Sequence, residues 1–151
     1  MSVVKDDDRE LSPESRGWLA RFLVIRASGY LEQVIVECFR GHVNEKSGGL
    51  VRSFANSWLE RSRNPSPSNL LEMVGRFDSS FRDELEQLMA EDDDRLKREL
   101  SFLVSARNSI AHGMNEGVNP TRALALAGVA IELGDWFILR FNPLRAGWSS
   151  S

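Results

Sequence analysis

The sequence predicts an all-α fold, a bundle of four main helices with short helices beside them. Three observations predict it. Three segments open on a capping side chain followed by proline: Ser12-Pro13, Ser66-Pro67 and Asn119-Pro120. Apolar residues recur three, four or seven apart, as in Leu96, Leu100, Leu103 and Ile110. No segment of useful length alternates apolar and polar residues as a half-buried strand does.

The elements follow in order. The first helix runs from Ser12 to about Val43, and the glycine-containing turn Ser47-Gly48-Gly49 ends it. A short helix spans Leu50 to Arg61 and is followed by a loop through Pro65. Helical pattern resumes from Pro67 to about Phe77 and again from Ser79 to Met89. Asp92-Asp93-Asp94 reads as a further helix start, because carboxylates favour the positive end of the helix dipole. The helix it opens runs from about Asp93 to Ala111 and stops at Gly113, which suits a left-handed C-terminal cap. The last helix runs from Pro120 to about Phe141 and is closed by Asn142-Pro143. Residues 1–11 read as a flexible arm, 12–145 as one helical domain and 146–151 as a tail.

Composition narrows the function. The chain has 151 residues, enough for one domain with a real core, and a net charge of -3. A nucleic-acid partner must therefore be met by a local basic patch and not by overall charge. A single cysteine, Cys38, allows no disulfide framework within the chain, and it falls at an apolar position as an inert buried thiol. Met1-Ser2-Val3-Val4 runs straight into aspartates without the pattern of a signal peptide, so the expected compartment is the cytoplasm. The longest apolar runs are broken by Arg26, Glu32 and Asp135, so no membrane span is expected. Two histidines and one cysteine lie too far apart for a zinc site, and neither metal nor cofactor is expected. His42 reads as a surface residue, and the four tryptophans as packing residues, with Trp148 in the tail the least constrained.

The informative residues are polar ones on faces that should be apolar. Arg107 falls in the middle of the stripe from Leu96 to Ile110, where an unpaired charge is costly. Asn108 and His112, four apart, share a face beside that seam, and Lys97 and Ser101 lead up to it. On the first helix Arg26, Gln33, Glu37 and Arg40 form a solvated stripe. Ser28 and Glu32 lie opposite, with Arg21 near them and with Ile25, Ile35 and Phe39 as apolar neighbours. Glu32 is a natural counter-charge for Arg107, so the two helices are expected to pack with these residues close. The alternative roles for Glu32, structural pairing and support of an active site, both stay open. The last helix is apolar on nearly all sides, which fits either a dimer interface that includes part of it or a central place in the monomer.

Ala106-Arg107-Asn108-Ser109-Ile110-Ala111-His112-Gly113 resembles the Arg-x4-His signature of the HEPN superfamily in its Arg-Asn-x-x-x-His form. Tyr30-Leu31-Glu32-Gln33-Val34 resembles the glutamate-bearing first helix of its RiboL-PSP-HEPN subgroup, and Asn119-Pro120-Thr121 the helix start after the motif. The resemblance spans most of residues 15–142. It implies a dimeric, metal-independent endoribonuclease of a toxin–antitoxin or anti-phage system, in which the motifs of two subunits face each other. It also implies that Arg107 and His112 carry catalysis, that Asn108 supports them, and that RNA is the substrate and an antitoxin protein a partner. The alternatives are a catalytically silent HEPN module that binds RNA or nucleotide and mediates dimerisation, and a plain helical scaffold. Some members carry a tyrosine two residues after the histidine as a modification site; Met114 stands there in this chain, which speaks against regulation by that route.

The residue types suit RNA cleavage without a metal. Histidine exchanges protons near neutral pH, and arginine stays charged and grips phosphate. The spacing imposes a condition. Five residues turn a side chain by roughly 140° on an ideal helix, so Arg107 and His112 do not converge on one face. Unwinding beside Gly113 or a second subunit is needed to bring them together. A helix C-terminus favours protonated His112, which suits the acid role.

Overall fold

The computed structural model describes residues 12–46, 49, 65–114 and 118–141. They form four helices: α1 (Pro13–Lys46), α2 (Pro67–Phe77), α3 (Ser79–Ala111) and α4 (Pro120–Phe141). No strand occurs among the described residues. The expected short helix 50–61, the arm 1–11 and the tail 146–151 lie outside them.

The predicted caps form. Ser12 Oγ accepts from the Ser15 amide at 3.0 Å, Ser66 Oγ from Asn69 at 3.3 Å, and Asn119 Oδ1 from Arg122 at 2.7 Å. Each side chain satisfies an amide that the first helical turn leaves without a partner. Between α2 and α3 stands a fourth cap that the sequence reading missed. Asp78 Oδ1 accepts from the amides of Ser80 at 2.8 Å and Phe81 at 3.2 Å.

The aspartate run stands where the second predicted helix starts, but as a left-handed link before it and not as its first helical turn. Helical geometry breaks within α3 at Glu91, and Asp92, Asp93 and Asp94 all take left-handed conformations, with φ of 53°, 56° and 62°. Aspartate tolerates this region better than most residues, because its short polar side chain bonds locally. The Arg98 guanidinium donates to the Asp93 carbonyl at 3.1 Å across the link. The two predicted helices, 79–89 and 93–111, are thus the two arms of α3.

α1 packs most extensively on α4, and the two run in the same direction: Tyr30 lies against Gly134, and Phe39 meets Phe137 and Phe141. A Cβ at Gly134 would come within 3.0 Å of the Tyr30 ring, so the absence of a side chain there sets the approach. α3 runs the opposite way along α4. Phe81 meets Phe141, Glu84 accepts from Trp136 Nε1 at 2.9 Å and Arg140 Nε at 2.6 Å, and Arg95 bonds Glu132 at 2.9 Å. α2 closes one end of the bundle, with Phe77 stacked on Phe39 at 4.6 Å between ring centroids. Each of the large side chains buried here, Phe39, Phe137 and Phe141, contributes about 2–3 kcal/mol by leaving water.

Several expectations change. His42 is half-buried, its ring edge-on to Phe77 and Phe141, and not a plain surface residue. Ile25 is exposed, because the face of α1 that meets the core is centred on Val24, Leu31 and Ile35. Trp136 packs as expected, whereas Trp18 is 63% exposed. α4 is central, buried from Ala123 to Phe141 along one side, yet Leu124, Ile131 and Ile138 form an exposed apolar stripe at seven-residue spacing. Among the described residues no helix is long and apolar enough to cross a membrane.

Hydrogen bonds from the Ser80 hydroxyl, then from the Phe81 and Ser80 amides, hold the Asp78 carboxyl below its ordinary value. A depressed carboxyl stabilises the fold above the unfolded value near 3.8, and the effect fades as pH falls through the folded value. Asp78→Ala should cost about 1 kcal/mol in urea denaturation at pH 7. The difference from the wild type should shrink below pH ~4, where the native carboxyl takes up its proton.

Candidate active site

The motif occupies the C-terminal end of α3. His112 is the residue after the last helical one, with φ -91° and ψ 12°, and its amide donates to the carbonyls of Asn108 at 3.1 Å and Ser109 at 3.2 Å. Gly113 takes φ +76°, and its amide donates to Ile110 at 3.0 Å. Met114 then donates to Ser109 at 2.9 Å. This pair of bonds is the Schellman arrangement, and it requires a left-handed residue at the glycine position. The glycine expected to cap the helix does so, and His112 is fixed where the helix ends.

The site residues take different surroundings. Asn108 and His112 are exposed on one face with Lys97, Ser101 and Ser105. Arg107 stays on the core-facing stripe, between buried Leu103 and half-buried Ile110, and is itself half-buried. Within one chain the helix therefore keeps Arg107 and His112 on different sides, as a five-residue spacing requires. Ser28 is 1% exposed, and its hydroxyl has no hydrogen-bond partner among the described residues. It belongs to the interior of α1 and not to the solvent-facing site.

The expected pairing of Glu32 with Arg107 does not form. The ion pairs among the described residues include neither residue. Both side chains keep partial access to water, so neither needs a buried counter-charge. Burial, with Glu37 adding to it, pushes the Cys38 thiol up to about 11, so the thiolate needed for reaction is scarce. No three His, Cys, Asp or Glu side chains among the described residues are grouped as metal ligands.

Two features beside the motif escaped the sequence reading. One is an open groove of about 460 Å³ between the first half of α1 and the end of α3, lined by Trp18, Arg21, Phe22, Ile25, Ile110, Gly113 and Met114. The Arg21 guanidinium lies over the Trp18 ring, 4.5 Å from its centroid. The other is local charge. Residues 13–31 carry three arginines and one glutamate, and 95–112 carry three arginines, one lysine and one glutamate, in a chain of net charge -3. Charge counted by segment shows the second feature; the first needs the fold, because its two walls lie some ninety residues apart in the chain.

The RiboL-PSP-HEPN family model matches residues 2–135, which takes in α1, α2, the whole motif helix and most of α4. The chain belongs to the RiboL-PSP-HEPN family. No curated protein and no solved structure matched it.

Gly113→Ala places a Cβ in the left-handed region and should cost about 1 kcal/mol in thermal or urea unfolding, whereas Gly113→Asn should cost clearly less. Equal losses from both substitutions would contradict a conformational role for Gly113.

Proposed function

We propose that this chain is a metal-independent endoribonuclease that works as a homodimer. The observation that carries the reading is the placement of Arg107, Asn108 and His112 at a capped helix end, in a chain of the RiboL-PSP-HEPN family. Asn108 and His112 reach solvent there and are free to meet a substrate.

In the reaction the substrate's own 2′-oxygen attacks phosphorus. The O2′–P bond forms as the P–O5′ bond breaks. The 2′-hydroxyl gives up its proton to a base, and the departing 5′-oxygen receives one from an acid. His112, exposed at the end of α3, takes the role of the acid. Arg107 holds the charge that grows on the non-bridging oxygens, and Asn108 orients His112 or bonds a phosphate oxygen. The products are a 2′,3′-cyclic phosphate and a 5′-hydroxyl end.

The dimer enters on geometric grounds. Arg107 and His112 face different sides of one helix, so a site that uses both takes one from each chain. The exposed stripe Leu124, Ile131 and Ile138 on α4 offers an apolar seam for a second copy. A toxin or anti-phage effector in the cytoplasm, held in check by an antitoxin protein, is the proposed biological setting. The separation of Arg107 from His112 also supports a second reading, a silent module that binds RNA or nucleotide without cutting it.

Purified protein incubated with total RNA and tRNA in EDTA should release fragments ending in 2′,3′-cyclic phosphate. Arg107→Ala and His112→Ala should each lower the rate by about 10²-fold or more. Binding without cleavage on every RNA would favour the silent module. Light scattering at micromolar concentration should give the mass of a dimer, and a monomer would contradict the shared site.

A further inference from the structure

We propose that the groove between α1 and the end of α3 holds one unpaired base of the RNA, next to the linkage that is cut. This inference rests on the endoribonuclease reading and adds a recognition site to it.

Position is the first ground. Ile110, Gly113 and Met114 line the groove, and His112 lies between them in the chain, so the groove wall and the candidate acid belong to one turn. Arg107 lies three residues before Ile110 on that side of α3, so a phosphate held by Arg107 leaves its neighbouring nucleotide beside the groove.

Surface chemistry is the second. Trp18 and Phe22 are 63% and 59% exposed at the groove. Flat aromatic rings and guanidinium planes are the surfaces on which unpaired bases stack, and the Arg21 guanidinium lies over Trp18. The groove's volume of about 460 Å³ falls in the range of small-ligand sites.

Charge complementarity is the third. Among the described residues that line the groove, Arg21 is the one charged side chain and none is acidic. It stands in a segment with three arginines and one glutamate, while the chain as a whole is acidic. A polyanion with aromatic bases matches this local surface. A second copy of the chain is better matched by the α4 stripe, which has no arginine among its apolar residues and runs straight along a helix for two heptads.

The test uses a labelled single-stranded 2′-O-methyl RNA, which binds but lacks the attacking hydroxyl. Its Kd is measured by fluorescence anisotropy for the wild type, Trp18→Leu, Trp18→Phe and Arg21→Gln, with circular dichroism to show that each variant is folded. Trp18→Leu should weaken binding about tenfold, because a stacked base is lost. Trp18→Phe should stay within about threefold, since it keeps a ring, and Arg21→Gln should weaken binding by about threefold to tenfold. Wild-type affinity in Trp18→Leu overturns the inference, as does a dimer that falls to monomers in that variant, which assigns the groove to a second copy. Equally tight, Trp18-dependent binding of nucleoside monophosphates overturns it in favour of a free nucleotide. If the wild type cleaves RNA in EDTA while all variants bind normally, the inference falls and the endoribonuclease reading stands. If the wild type neither binds nor cleaves RNA, both fall.

Discussion

The pairing of α1 with α4 is the constraint on which the rest of the molecule depends. Two long helices lie side by side in the same direction, and Gly134 lets Tyr30 approach closely enough for the seam to close. At one end the seam becomes an aromatic cluster of Phe39, Phe137 and Phe141, onto which α2 stacks Phe77 and α3 adds Phe81. Glu84 ties α3 to α4 by accepting from both Trp136 and Arg140. With the α3 N-terminal arm held there and the C-terminal arm buried along Leu96, Leu100 and Leu103, the motif helix has one place to end.

That end sets the surroundings of the motif residues. The left-handed turn at Gly113 satisfies the last carbonyls of α3 and leaves His112 exposed beside Asn108. The same helix holds Arg107 half-buried on its other side. A regular helix cannot close the roughly 140° between them. Membership in the RiboL-PSP-HEPN family and this angular offset together favour a site assembled from two chains. The groove at Trp18 and Arg21 adjoins the same helix end, so recognition of a base and cleavage of its phosphate are proposed to share one short stretch of chain.

Much of this was legible in the sequence because it is written in local chemistry. Proline after a capping side chain marked three helix starts, and Gly113 marked the stop, since each residue acts on the backbone within one turn. The Asp92–Asp94 run marked where the second arm of α3 starts, but its left-handed backbone was not legible, because carboxylates suit both the first turn of a helix and a left-handed link before it. The Glu32–Arg107 pair failed for a related reason. Helix periodicity gives the direction of a side chain but not the depth at which its helix is buried, and both residues lie shallow enough to keep water. Trp18 was read with the other tryptophans as a packing residue, whereas its exposure follows from which face of α1 turns toward α4.

The shared site has a direct test in mixed dimers of Arg107→Ala and His112→Ala chains, unfolded together and refolded. Half of the dimers then hold one chain of each kind, and each of these has one intact pair of Arg107 and His112 contributed from opposite chains. The account predicts that two inactive proteins, once mixed, recover about a quarter of wild-type RNA cleavage. A mixture that stays as inactive as its components, while mass spectrometry shows that mixed dimers have formed, would contradict it.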